Sequence, residues 1–205
     1  MNIALIYGGR SGEHEISLIS AASIARGIDK KNTVTLIGIT KDGTWFLQNE
    51  SEYNRICKDK DASFKIEESD ENKIYVVPGG KNKAFRTKNG SLNIDVVFPA
   101  LHGTYGEDGT IQGLLDMADI PYIGCSTMAS ALTMDKEKTK QILKSSEIPV
   151  VPYICIKRCD LNNSQRYDEI FQRCIDELGF PLFIKPCFIK SGKSSFAAML
   201  RRTLR

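Results

Sequence analysis

Near its amino terminus the chain reads Asn2-Ile-Ala-Leu-Ile-Tyr-Gly-Gly-Arg-Ser-Gly-Glu-His-Glu-Ile-Ser17. The first six of these residues form an apolar run that stops at two glycines, which is typical of a buried strand entering a tight turn. Apolar residues then recur near helical spacing over 13–28, and a second apolar run occupies 33–40. A strand, a helix and a strand within 40 residues predict a βαβ unit with parallel strands. We therefore expect an α/β fold.

The composition limits the class of protein. Of the 205 residues, 41% are hydrophobic and 26% are charged, which is too apolar for intrinsic disorder. No apolar run reaches the roughly 20 residues that a membrane helix needs, and the first one is too short for a signal peptide. A net charge of +3 does not by itself indicate nucleic-acid binding. We expect a cytoplasmic protein with no membrane or nucleic-acid partner.

The six cysteines are scattered along a chain that is long enough to fold without disulfides, so free thiols are expected. Cys155 and Cys159 are the one close pair. Their spacing does not fit the usual zinc pairings and no histidine lies near them, so we expect no metal site there.

Further elements are predicted on either side of a polar insertion. A turn at 41–43 leads into a hairpin strand at 44–47, and the charge-dense residues 48–73 are predicted to be a surface excursion. The continuous apolar character of 95–101 predicts a buried strand, which runs into a glycine-rich loop at 102–109. The other elements expected up to residue 125 are short peripheral strands and turns at 74–77 and 85–94, a helix at 110–118 and a short strand at 122–123.

Beyond residue 125 the pattern changes to α+β. Two consecutive helices are predicted at 126–132 and 135–146, and Asp135 is a good N-cap for the second. The remaining expected elements are a strand at 151–156, a helix at 164–178 and a strand at 181–185. We therefore predict an α/β domain over 1–125 and the first part of a second domain over 126–186.

Two loops after predicted strands contain candidate binding residues. The turn at 8–12 precedes a helix N-terminus, where backbone N–H groups and the helix dipole favour anions, but its glycine spacing is not the dinucleotide-binding fingerprint. Glu13 could bind the ammonium group of a ligand or only complement the helix dipole. His102 follows a buried strand, at the sheet edge where α/β folds bind ligands, and it could bind a ligand or be structural.

Two lysines are further candidates. Lys136 lies in Met134-Asp135-Lys136, and Lys185 ends the last predicted strand. A charge at the end of a buried strand needs a partner, and either an ion pair or a nucleotide phosphate would provide one.

Four segments occur in a fixed order: 8–17, Leu-His-Gly-x-x-Gly-Glu-Asp-Gly-Thr-Ile-Gln-Gly (101–113), Gly-Cys-Ser-x-x-Ala-Ser-Ala-Leu-x-Met-Asp-Lys (124–136) and Ile-Lys-Pro (184–186). In this order they resemble the D-alanine–D-alanine ligase family of the ATP-grasp superfamily. The resemblance extends from residue 1 to about 186. It implies a parallel-sheet, Rossmann-like (pre-ATP-grasp) substrate-binding domain over 1–125, followed over 126–186 by an incomplete ATP-grasp α+β domain.

The resemblance also implies a reaction. ATP phosphorylates the carboxylate of one D-alanine, and the amine of a second attacks the acyl phosphate to give a peptidoglycan precursor. Glu13 would be the catalytic residue that holds the ammonium group of the first D-alanine, and His102 would lie beside that substrate. Lys136 and Lys185 would contact ATP phosphates, which Mg²⁺ or Mn²⁺ would bridge. The family also forms homodimers through its N-terminal domain.

After Pro186 the sequence departs from the family pattern. The family continues into a Gly-Ser-Ser phosphate loop, of which Ser194 and Ser195 could be a remnant, and its metal ligands lie in a C-terminal half, so no metal ligand is assigned here. Residues 187–205 contain five basic residues and no acid. We interpret them as an atypical basic tail on a truncated ligase; a natural short protein whose tail binds a polyanion is the competing interpretation.

Several functional alternatives stay open. We expect that the 205 residues alone form no D-alanyl-D-alanine, because positioning and charge neutralisation supply most of the rate in phosphoryl transfer. The parent activity could use D-lactate or D-serine as the second substrate. The chain could also be a non-catalytic D-alanine-binding or dimerisation module, whereas an unrelated nucleotide-cofactor enzyme is disfavoured by the missing fingerprint.

Overall fold

The computed structural model describes residues 1–157, 160, 164–188 and 197–202. The chain divides into two compact units, Met1–Ala131 and Leu132–Arg205. The first is an α/β unit with a mostly parallel sheet, and the second has α+β character, as expected from the sequence. The division falls within the helix Thr127–Met134, a few residues after the boundary predicted at 125.

The first unit contains more strands and helices than the described part of the second. Its strands are β1 (Asn2–Gly8), β2 (Thr33–Ile39), β3 (Trp45–Leu47), β4 (Tyr75–Val76), β5 (Phe85–Thr87), β6 (Gly90–Ser91) and β7 (Val96–Pro99). Its helices are α1 (His14–Gly27), α2 (Glu50–Lys58) and α3 (Thr110–Ala118), with a short 3₁₀ turn at Lys81–Lys83. Helix α4 (Thr127–Met134) follows, and β4, β5 and β6 form a small separate antiparallel sheet.

Strand β1 is central in the main sheet, whose order is β3-β2-β1-β7. It pairs in parallel with β2, where Ile3 lies opposite Val34, and in parallel with β7, where Ile3 lies opposite Val96. Strand β3 pairs antiparallel with β2 through the turn at 41–43. The predicted βαβ unit, the hairpin and the parallel sheet are therefore confirmed.

The main sheet is covered on both faces, as is usual for parallel strands. Ile6 of β1 packs with Leu115 of α3 in one apolar cluster, whereas Leu5 and its neighbour Tyr7 pack in another against α1. Apart from His14 in its first turn, the buried side chains of α1 are small, namely Ser17, Ala21, Ala22 and Ala25. Small side chains let the helix approach the sheet closely, so the carboxyl end of β1 and the start of α1 stay together.

The interpretation of residues 48–73 as a surface excursion is wrong in part. Helix α2 occupies this segment, capped by Asn49, whose side chain accepts a hydrogen bond from the backbone N of Ser51. Ile56 and Phe64 are buried in the core, and Phe64 stacks on Tyr7 with ring centroids 4.5 Å apart. The sequence pattern missed the helix because Ile56 is its one buried side chain, and one apolar position gives no helical period.

The second unit contains α5 (Lys136–Ser145), β8 (Tyr153–Lys157), α6 (Ser164–Leu178), β9 (Leu182–Pro186) and β10 (Ala197–Arg202). The expected elements at 135–146, 151–156, 164–178 and 181–185 are confirmed. Asp135 caps α5 as predicted, because its carboxylate accepts hydrogen bonds from the backbone N of Glu137 and Lys138, each at 3.0 Å. None of the described helices is both long and apolar enough to cross a membrane.

Strand β10 was not expected from the sequence. It lies between β8 and β9 in an antiparallel sheet of order β8-β10-β9, so part of the segment interpreted as a basic tail is a central strand. Ser194 and Ser195, the predicted remnant of a phosphate loop, lie outside the described residues.

The prediction that 181–185 is a buried strand is wrong for the described residues. Helix α6 packs on this sheet through a small cluster that contains Ile154, Cys174 and Leu178. Phe183 and Ile184 of β9 stay exposed, at 46% and 70% of their accessible surface. A continuous apolar run such as 181–184 is typical of a strand covered on both faces. The run alone does not show whether another helix or sheet packs on each face.

We expect Glu52→Gln to destabilise the first unit by about 1–2 kcal/mol at pH 7. The Glu52 carboxylate, 18% exposed, accepts two hydrogen bonds from the Arg55 guanidinium, at 2.6 and 2.7 Å, and one from the backbone N of Lys65 at 2.9 Å. These bonds, chiefly that from Arg55, hold the pKa of the carboxyl below its ordinary value of 4.5. The stabilisation is therefore present at neutral pH and is lost as the pH falls through the lowered pKa.

Urea unfolding followed by the fluorescence of Trp45, the single tryptophan, measures this effect. The difference between the native protein and Glu52→Gln should shrink when the pH falls below 4.5. Glu71→Gln, at an exposed position, is the matched control and should change little. Equal stability of Glu52→Gln and the native protein at pH 7 would contradict the prediction.

Candidate functional site

The turn after β1 and the loop after β7 meet at one edge of the main sheet. This follows from the parallel pairing of the two strands, whose carboxyl ends point the same way. Ser17 of α1 connects both, because its Oγ accepts a hydrogen bond from the backbone N of Gly8 at 2.8 Å and donates one to the carbonyl of Ala100 at 2.5 Å. The first turn of α1 is therefore attached to the ends of both strands.

The turn itself requires glycine at its first position. Gly8 has φ +88°, and a Cβ there would overlap the carbonyl oxygen of Ile39 on β2. The backbone N of Gly9 donates to that same carbonyl at 2.8 Å. The chain thus leaves β1 along the sheet edge and starts α1 with its positive end at this edge.

The Glu13 carboxylate is directed at the loop after β7. Glu13 occupies the N-cap position of α1, but its side chain makes no capping hydrogen bond. A Cβ placed on Gly103 would lie 2.8 Å from Oε2 of Glu13, and Gly103 has φ +68°. Among the residues that the structure describes, the exposed Glu13 carboxylate has no hydrogen-bond or ion-pair partner. An anionic group next to a loop backbone and open to solvent can bind a cation such as an ammonium group.

His102 lies in the same loop, beside Gly103. Its Nε2 is 2.8 Å from Oγ of Ser20 on α1, and its Nδ1 is 3.9 Å from Oε1 of Glu107. The other carboxylate oxygen of Glu107 accepts a hydrogen bond from the backbone N of Gly103 at 2.8 Å. The structure therefore places the Glu13 carboxylate, at the start of α1, beside Gly103, the residue that follows His102 in the loop after β7.

A cavity of about 280 Å³ adjoins this edge. His102 and Arg10 contribute to its lining, and the Arg10 guanidinium lies 5.2 Å from the centroid of the Tyr105 ring. The apolar part of the wall is made of Ile39, Trp45, Leu101, Tyr105, Ile111 and Leu114. Sequence reasoning missed this apolar wall, because side chains from four separate segments give no local motif.

Sequence reasoning also missed Ser20. The available signal was its spacing of three from Ser17, which places both hydroxyls on neighbouring positions of one helix face. Ser17 then identifies that face as the one turned toward the sheet, since it is buried.

Lys136 and Lys185 belong to the second unit. The backbone N of Lys136 donates to the carbonyl of Cys187 at 2.9 Å, so the start of α5 lies beside the end of β9. Within residues 1–157, 160 and 164–188, neither ammonium group forms an ion pair with a carboxylate. Lys185 is exposed, so its charge needs no partner on account of burial, and that argument for a phosphate contact is removed. Both phosphate contacts stay predictions.

No three His, Cys, Asp or Glu side chains of the described residues converge on a point where they could hold a metal ion. Cys159 lies outside the described residues. The neighbour of Cys155 is Cys187, with the two Sγ atoms 3.7 Å apart and both thiols free. Burial, the largest cause, raises the pKa of Cys155 to about 12 and also raises that of Cys187.

The fold and the site define a class: an α/β domain that presents a carboxylate and a histidine at the carboxyl edge of a parallel sheet. Residues 2–125 match the family model described as D-ala D-ala ligase N-terminus. The chain therefore belongs to the D-alanine–D-alanine ligase family, as the sequence motifs indicated.

D-alanine–D-alanine ligases are similar in sequence to this chain over nearly its whole length. The D-alanine–D-alanine ligase of Treponema denticola is 48% identical over 202 residues, covering 98% of this chain and 54% of that protein. The ligase of Treponema pallidum is 39% identical and covers 100% of this chain and 51% of that protein. The chain thus spans about half the length of these relatives. Both matches extend past residue 186, into the segment interpreted from sequence as an atypical tail.

Solved structures agree on the fold. The D-alanine–D-alanine ligase from Coxiella burnetii superposes with a TM-score of 0.79 at 27% identity, covering 100% of this chain and 64% of that one. The VanG D-Ala:D-Ser ligase from Enterococcus faecalis gives a TM-score of 0.72 at 28% identity, covering 100% of this chain and 63% of that one. Ligases named for different second substrates therefore share this architecture.

We expect Gly103→Ala to destabilise the first unit by about 1–3 kcal/mol, because an alanine in this left-handed backbone conformation, φ +68°, would be strained. Urea unfolding followed by Trp45 fluorescence measures the change. Gly12→Ala is the matched control, since Gly12 has no positive φ and no atom within 4 Å of an added Cβ. Equal stability of the two variants would show that the loop does not require this conformation.

We expect iodoacetamide to modify Cys57 and Cys125 well before Cys155 and Cys187 in the native protein. The first two are exposed, whereas the raised pKa values of the second two keep them as unreactive thiols. Peptide mass spectrometry over a time course at about pH 8 reports each site, where an ordinary thiol with a pKa of about 8.5 is partly ionised. All four should react in urea, and equal native rates would contradict the expected protection of Cys155 and Cys187.

Proposed function

We propose that this chain carries the first D-alanine site of a D-alanine–D-alanine ligase, with Glu13 binding the ammonium group and His102 lying beside the substrate. The observation that supports it most directly is the placement of the Glu13 carboxylate. It lies against Gly103, without a partner among the described residues, where the ends of β1 and β7 meet.

The chemistry of the site suits a zwitterionic amino acid. A carboxylate–ammonium hydrogen bond is charge-assisted and contributes about 1.5–3 kcal/mol. The positive end of α1 and the backbone N–H groups of the turn favour the opposite end of the ligand, its carboxylate. In the proposed reaction that carboxylate accepts the γ-phosphoryl group of ATP, and the amine of a second D-alanine then displaces phosphate to form the dipeptide.

The second unit would supply contacts to ATP. Lys136 and Lys185 are point charges suited to phosphate oxygens, and the hydrogen bond from Lys136 N to Cys187 O brings the two segments together. Unlike the phosphate contacts, metal binding has no candidate residues, because the described residues contain no group of three acidic, histidine or cysteine ligands. They do not fit the Mg²⁺ that phosphoryl transfer needs, so we assign no step to a metal here.

We also propose a cellular role and a range of second substrates for the reaction. The dipeptide would serve cell-wall precursor synthesis in the cytoplasm. The second substrate could be D-alanine, D-lactate or D-serine, and Glu13 and His102, which are assigned to the first substrate, do not discriminate among these.

Calorimetric titration with D-alanine tests the proposal. Glu13→Gln removes the charge but keeps the shape, and it should weaken D-alanine binding by about 10- to 100-fold, the equivalent of one charge-assisted hydrogen bond. Glu15→Gln is the matched control and should bind like the native protein. Glu15 lies two residues further along α1, on another face, and pairs with Lys41 at 2.7 Å. L-Alanine should give little heat with all three proteins.

Equal heats from the native protein and Glu13→Gln would remove the binding proposal. A non-catalytic assembly module would then be the better candidate. The observation that favours it is the exposure of large apolar side chains in the first unit, namely Tyr75, Met117 and Ile123. Sedimentation equilibrium distinguishes a homodimer from a monomer, and Met117→Lys should shift a dimer that buries Met117 toward monomer.

A further inference from the structure

We infer that Ser20 is a positioning residue that fixes the tautomer of His102, so that Nε2 carries the hydrogen and Nδ1 is an acceptor. The tautomer is inferred from the hydrogen-bond partners of the Ser20 hydroxyl and does not depend on the proposed function. Its consequence for substrate binding rests on the proposed function, in which His102 lies beside D-alanine.

The Ser20 hydroxyl has a single hydrogen to donate. Its Oγ lies 2.9 Å from the carbonyl oxygen of Ile16, one turn earlier on α1. A carbonyl can only accept, so the hydroxyl donates to it. The same Oγ lies 2.8 Å from Nε2 of His102, and with its hydrogen already used it must accept there. Nε2 of His102 is therefore the donor.

A neutral imidazole carries one N–H, so a protonated Nε2 leaves Nδ1 with a lone pair. Nδ1 lies 3.9 Å from Oε1 of Glu107, which is beyond hydrogen-bond distance. The other Glu107 oxygen is engaged by the backbone N of Gly103. Nδ1 is thus available to accept a hydrogen bond from a ligand, and an ammonium group is a donor that suits it.

His14 is expected to carry its hydrogen on the other ring nitrogen than His102. Its Nδ1 lies 2.8 Å from the carbonyl oxygen of Gly9, which can only accept, so Nδ1 of His14 must donate. The two histidines of the chain, both at this sheet edge, are therefore expected in opposite tautomers. Because there are no other histidines, both can be observed in one spectrum.

Ser20 acts on His102 across a large sequence separation. It is half-buried on α1, whereas His102 is in the loop after β7, so their hydrogen bond also attaches the loop to the helix. Loss of the hydroxyl would leave Nε2 without this acceptor and would let the two neutral tautomers interconvert. Alanine is a good helix former, so Ser20→Ala should keep α1 intact.

Long-range ¹H–¹⁵N correlation spectra of imidazole-labelled protein test the inference. At about pH 9 ordinary imidazoles, with a pKa near 6.5, are neutral and the two tautomers have distinct nitrogen shifts. We expect Nε2–H for His102 and Nδ1–H for His14, with His102→Gln assigning the signals. Ser20→Ala should convert His102 to averaged shifts and leave His14 unchanged, which also reports that the fold is intact. Ser20→Thr should restore the Nε2–H signature.

Calorimetry with D-alanine supplies the functional readout. Ser20→Ala should weaken binding by about threefold, because apparent affinity falls with the fraction of the competent tautomer, and Ser20→Thr should recover it. An Nδ1–H signature for native His102, or an Nε2–H signature that survives in Ser20→Ala, would overturn the inference. A native protein that shows the expected tautomers but binds no D-alanine would instead refute the proposed function and leave the assignment of Ser20 standing.

Discussion

The parallel pairing of β1 with β2 on one side and β7 on the other is the constraint on which the candidate site depends. Residues 4–7 of β1 are fully buried on both faces, so the register of the sheet cannot slip without exposing a core side chain. Parallel strands end at the same edge. Glu13 and the loop that carries His102 lie at the same edge because each follows one of these strands by a few residues.

Small residues convert that shared edge into a site. Ser17 is short enough to bond both strand ends, and Gly103 leaves room for the Glu13 carboxylate. Ser20 then connects the helix to His102. The proposed roles of Glu13, His102 and Ser20 therefore rest on one local arrangement.

The second unit has a different physical character. Its sheet is packed by α6 on one face, and apolar side chains of β9 are exposed on the described chain. Lys185 is therefore exposed and its charge needs no buried partner. The hydrogen bond from Lys136 N to Cys187 O keeps both lysines in neighbouring segments. The relatives are about twice as long as this chain, and their similarity to it continues past residue 186. The segment that contains β10 therefore belongs to the region of family similarity, like the rest of this sheet.

The amino-acid sequence by itself determined the βαβ unit, the hairpin after β2, the Asp135 cap and the ordered motifs of the family. Each of these depends on local periodicity, turn residues or short spacings. Only the tertiary structure decided the burial of Ile56 and Phe64, the central place of β10, the Cys155–Cys187 contact and the partner of His102. Those features depend on contacts between residues far apart in the chain, and a local pattern carries no information about which distant group will lie opposite.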